Sequence, residues 1–114
     1  MKSIYLNQFE NEESMLKEFG IDKSVLDGYK VLLASYEQEC YDGYAFVLLK
    51  RKQTKELVTV YASHCSCYGL EGQFELEESS LELLNKLYAE DHYYAFRECR
   101  KELGEILIRL SKKK

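Results

Sequence analysis

Apolar and polar positions change their spacing several times along the chain. Near the N-terminus Phe9, Met15, Leu16 and Phe19 share one stripe of a helical period, so a helix is predicted from a cap at Asn7 to about Phe19. Asn7 and Glu10 have capping-box spacing, and Gly20 can take the left-handed position that ends a helix. Asp22 reads as the cap of a short helical turn closed by Gly28, with Ile21 and Leu26 at its two staple positions. From Tyr29 the period drops to two. Tyr29, Val31 and Leu33 alternate with Lys30, Leu32 and Ala34, which predicts a strand to about Glu37. Asp42-Gly43 is a turn signal. Tyr44 to Lys50 is apolar on both alternating sets, the pattern of a central strand covered on both faces. Lys52 to Lys55 reads as a polar hairpin tip. Leu57 to Ser63 follows as a third strand, with Val58, Val60 and Ala62 on one side. Phe74 and Leu76 alternate with Glu75 and Glu77 as a brief edge strand. Ser79 and Glu82 form a capping box for a helix to about Ala89, with Leu81, Leu84, Leu87 and Tyr88 inward. The last helix runs from about His92 to Leu110 with Phe96, Cys99, Leu103, Ile106 and Leu110 as its apolar seam. Gly104 inside it implies a close packing contact, because glycine weakens a helix by about 1 kcal/mol relative to alanine.

These elements predict an α+β fold in one domain, 1–114: an N-terminal helix, a three- to four-stranded antiparallel meander sheet and two C-terminal helices. Helices on both sheet faces would account for the apolar central strand. The seam of the last helix reads as intramolecular core, since a coiled coil sustains more heptads. A homodimer through that C-terminal helix is the alternative.

Composition narrows the functional classes. The net charge is -4, and indiscriminate nucleic-acid binding is disfavoured because its affinity comes from neutralising phosphates. The charge is uneven. Arg97 to Lys114 holds seven basic residues and three acids, and the remainder holds nine basic and seventeen acidic. Basic residues at a helix C-terminus favour the macrodipole, which accounts for the tail. The apolar runs are far shorter than the roughly 18 residues of a bilayer helix, and the acid-rich start lacks a secretory signal. The expectation is a cytoplasmic protein with no membrane partner. Cys40, Cys65, Cys67 and Cys99 then read as free thiols.

Residues 63–78, SHCSCYGLEGQFELEE, stand apart from the rest. They follow a strand, turn at Gly69 and Gly72 and lead into a capped helix. The stretch from Ser63 through His64, Cys65, Cys67, Tyr68, Leu70 and Glu71 to Gln73 and Phe74 resembles a motif of small uncharacterised proteins from phages and prophages. In that family an aromatic strand like Tyr44 to Lys50 precedes the motif, and the resemblance covers roughly Asp42 to Leu87. It implies a mobile-element origin and an intracellular setting, and it carries no catalytic roles.

Several chemistries compete for this stretch. Zinc would take Cys65 and Cys67 with Cys40 or His64, His92 being a further ligand type, but the spacing lacks the usual C-x-x-C knuckle. A thiol-dependent enzyme would use Cys65 or Cys67 with His64 or His92 as base and Glu71 as orienting acid, but sequence neighbours seldom form such pairs. Phosphate is repelled by Glu71, Glu75, Glu77, Glu78 and Glu82, with no lysine or arginine between Lys55 and Lys86. Ten tyrosines and no tryptophan are more than a small core absorbs, and tyrosine suits interfaces. The reading that follows is a non-enzymatic interaction module without a cofactor, encoded by a phage or prophage and bound to a host or phage protein. It inhibits a host defence or nucleic-acid-processing factor. Its contact residues are His64, Cys65, Cys67, Tyr68, Leu70, Glu71, Gln73 and Glu75, with Tyr41 and Tyr44 alongside.

Overall fold

The computed structural model of the chain describes residues 3–39, 42–64, 69–90, 96 and 99–112. Its elements are β1 (Ile4–Asn7), α1 (Glu12–Phe19), a 3-10 turn (Lys23–Leu26), β2 (Tyr29–Glu39), β3 (Asp42–Arg51), β4 (Leu57–His64), β5 (Glu77–Ser79), α2 (Leu81–Tyr88) and α3 (Arg100–Lys112). The strands form one sheet in the order β1-β2-β3-β4-β5. The fold is α+β, as expected, but the sheet is mixed and five-stranded. β1 pairs with β2 in parallel, Ile4 opposite Leu33 and Asn7 opposite Tyr36, while every other pairing is antiparallel.

The N-terminal expectation is corrected. Asn7 does not cap α1. It ends β1 with φ 61, and its amide donates to the Ser35 hydroxyl at 3.0 Å. The cap is Asn11, whose side chain accepts from the Ser14 N–H at 2.9 Å. Gly20 does end the helix left-handed (φ 65), and its N–H reaches the carbonyls of Leu16 and Lys17. Asp22 caps the 3-10 turn as expected. Asp42 and Gly43 are not a turn but the first residues of β3, opposite Glu39 and Gln38.

β3 is buried on both faces and divides the core in two. On one side Phe9, Met15, Phe19 and Leu26 pack against Val31, Ala34, Tyr36, Ala45, Val47, Leu49, Val58, Val60 and Ala62. On the other, Leu84, Phe96, Leu103, Ile106 and Leu107 pack against Leu32, Leu33, Phe46, Leu48 and Leu57. β2 serves both sides by its alternation, and a bulge shifts that alternation. Val31 faces Leu49 and Leu33 faces Leu48, so Leu32 is the extra residue, and Leu32 and Leu33 both join the α2/α3 side. The uninterrupted alternation expected of β2 fails there.

α2 begins one residue later than its capping box implied. Ser80, not Ser79, accepts the Leu83 N–H at 3.1 Å, and Ser79 belongs to β5, opposite Leu57. The edge strand is likewise Glu77–Ser79 rather than Phe74 to Glu77. α3 runs from Arg100, and residues 92–95, 97 and 98 of the longer helix expected from His92 lie outside the described residues. Its seam is occupied within the chain: Phe96, Cys99, Leu103, Ile106 and Leu107 are all buried, and the Phe96 ring meets Phe46 edge-on at 4.9 Å. Leu110, the last position of the expected seam, is half-buried, and Ile108 is exposed. Among the described residues no helix is long and apolar enough to cross a membrane.

Candidate functional site

The distinctive segment leaves the sheet at the end of β4 and returns at β5. Cys65, Cys67 and Tyr68 lie outside the described residues, as do Tyr41, Cys40, His92 and the side chain of His64. Among the described residues no group of three His, Cys, Asp or Glu side chains is placed to hold a metal ion.

From Gly69 onward the loop is anchored at three points. Leu70 is fully buried in the α1 side of the core. The Gln73 N–H donates to the Leu70 carbonyl at 3.1 Å, and Gly72 sits between them at φ 78, the value that the third residue of a type II turn requires. The Phe74 ring meets Phe19 of α1 edge-on at 5.1 Å. The Glu71 stem crosses Gly20, where a side-chain carbon would stand 3.3 Å from Glu71 Cγ. Leu70 is therefore not a contact residue for a partner. It is the peg that seats the loop on α1, and the expectation that it faces outward is corrected.

Gln73 has a structural task as well. Its Oε1 accepts from the Ser63 N–H at 3.1 Å, and its Nε2 donates to the Gly69 carbonyl at 3.0 Å. The register of β4 on β5, Leu57 opposite Ser79 and Thr59 opposite Glu77, extrapolates to Ser63 opposite Gln73. The side-chain amide thus replaces a ladder bond where the backbone has left the sheet. Sequence reasoning missed this clamp, whose only local signal is a glutamine beside a glycine.

Tyr44 is 36 % exposed, but it does not join the loop. It shares the alternation of Phe46 and Leu48 on β3, so its register position is on the α2/α3 face, whereas Leu70 and Phe74 pack on the other. The surface that the structure does assemble is acidic. Glu71, Glu75, Glu77, Glu78 and Glu82 are all exposed, and Leu76, 36 % exposed, lies among them. Two of these acids have local uses. Glu78 lies 3.3 Å from Arg51, which also reaches Glu56 at 3.5 Å. Glu82 stands in the first turn of α2, where a negative charge complements the helix dipole. Glu71, Glu75 and Glu77 form no ion pair among the described residues.

Comparison of the chain with family models, with curated proteins and with solved structures gives no match in any of the three.

Proposed function

We propose that the protein is a non-enzymatic interaction module that presents Glu71, Glu75 and Glu77, with Leu76 among them, to a basic protein surface. One observation carries this reading: three exposed acids that form no ion pair among the described residues sit on a segment that Leu70, Gln73 and Phe74 fasten to the core. A fastened segment loses little conformational entropy when a partner docks, so its charges are spent on recognition rather than on ordering. The charge sign selects the partner. Five carboxylates repel a phosphate backbone and attract lysine and arginine, so the partner is a basic protein and not a nucleic acid. The resemblance of residues 63–74 to phage and prophage proteins supports a host or phage protein as that partner. A nucleic-acid-processing or defence factor, basic because it handles nucleic acid, fits the same charge, and covering its basic surface would inhibit it.

The test compares the wild-type chain with a Glu71→Lys/Glu75→Lys/Glu77→Lys variant as bait. A basic protein retained by the wild type, released as salt rises from about 50 to about 300 mM and lost at least about tenfold by the variant is expected, because exposed charge pairs are screened over this range. If both baits retain the same proteins at every salt concentration, the reading fails.

A further inference from the structure

We propose that the chain carries a second site, a cleft for a small aliphatic carboxylate, where the β3–β4 hairpin meets the start of α2 and the end of α3. It goes beyond the interaction reading and uses none of the acids assigned to it. The cleft has a volume of about 690 Å³, within the range of small-molecule pockets. Its apolar wall is built from three elements: Leu57 of β4, Leu81 at the start of α2 and Leu110 near the end of α3. All three belong to or pack against the core on the α2/α3 side.

The cationic lining comes from the hairpin. Lys50 lies opposite Leu57 in the register and shares the alternation of Phe46 and Leu48, which places it on that same sheet face. Lys55 stands at the hairpin tip, with φ 66 and its N–H donating to the Arg51 carbonyl at 2.8 Å. It is exposed and forms no ion pair among the described residues. The one carboxylate among the described lining residues, Glu56, already faces Arg51 at 3.5 Å. Ser79 and Ser80 add hydroxyls. The Ser80 oxygen accepts from the Leu83 N–H, and its own proton can still be donated to a guest.

This lining selects the guest. Among the described lining residues are three leucines and no aromatic ring, which suits a saturated chain rather than a stacked base or ring. Lysine is a point charge that pairs with carboxylate and phosphate alike, so charge count selects the head: a singly charged carboxylate is what one exposed lysine, Lys55, balances.

Two-dimensional amide NMR of the full chain tests the site with octanoate, 1-octanol and acetate. Octanoate is expected to shift the signals of Lys55, Leu57, Ser79, Ser80 and Leu81 saturably. Octanol, which lacks the charge, and acetate, which lacks the chain, should each bind at least about tenfold more weakly. Lys55→Gln, at an exposed position that leaves the core intact, should weaken octanoate severalfold toward the affinity of octanol, Lys50 remaining in the lining. The proposal is overturned if octanoate leaves those signals unmoved, if octanol binds as tightly, or if Lys55→Gln changes nothing. Because Lys55 lies outside the acidic segment, none of these outcomes depends on the partner proposed above.

Discussion

Tyr88 of α2 is held by two residues of α3. The Arg100 guanidinium lies 4.2 Å from the centre of its ring and donates to the Tyr88 carbonyl at 2.5 Å. Gly104 leaves room for the ring: a side-chain carbon there would stand 3.0 Å from Tyr88 Cζ and closer still to the hydroxyl. Two effects oppose each other in Gly104→Ala. Helix propensity favours alanine by about 1 kcal/mol, while forcing the ring out of its contact costs about 1–3 kcal/mol. The contact is expected to win, so the urea midpoint should fall. In a Tyr88→Ala background the same substitution should raise it, because only the propensity term is left. A glycine inside an apolar seam is visible in the sequence. Which side chain lies against it is not, since Tyr88 and Gly104 are brought together only when the two helices pack.

At the scale of elements, caps and strand ends decide the boundaries. Ser79 and Ser80 offer the same hydroxyl in adjacent positions, and spacing alone favours Ser79 because of Glu82. The sheet resolves the choice. Pairing of Ser79 with Leu57 commits it to β5, and the helix can begin only after it. Ser80→Ala should therefore cost about 1 kcal/mol in chemical denaturation, whereas Ser79→Ala should stay within about 0.5 kcal/mol of wild type. Equal effects, or the reverse order, would return the cap to Ser79. The same competition displaces the first helix. Asn7 has the chemistry of a cap, but β1 draws it into the sheet and its amide to Ser35, so Asn11 takes the role. α2 and the strands β3 and β4 were legible because their signals are local: inward leucines at helical spacing, and alternation bounded by a polar tip. β1 was not. Four residues of mixed character become a strand only because α1 and the 3-10 turn carry the chain back so that β2 can lie beside them.

For the whole molecule, the core on the α1 side of the sheet couples stability to two phenols that it favours uncharged. Tyr5 and Tyr36 lie on the α1 side, and burial pushes both phenols above their ordinary value near 10, with Glu12 and Glu18 respectively adding to the shift. Between the unfolded and folded values the folded chain binds more protons than the unfolded chain. Stability is therefore complete below about pH 10 and falls as the pH rises through the raised values. The urea midpoint should decline from about pH 10 upward, and the decline should be shallower in Tyr36→Phe. A flat profile would mean that the two phenols ionise as freely in the fold as outside it. The amino-acid order by itself determined the α+β class, the doubly covered β3, the inward faces of α2 and α3 and the acidic character of the segment after β4, because each rests on side-chain chemistry read at short range. Only the tertiary structure decided the parallel β1, the extra Leu32 in β2, the burial of Leu70, the clamp from Gln73 to Ser63 and the assembly of Leu57, Leu81, Leu110 and the hairpin lysines around one cleft. Each of these joins positions far apart along the chain. Their energy comes from apolar burial and hydrogen bonds between elements, and those terms exist only once the elements have met.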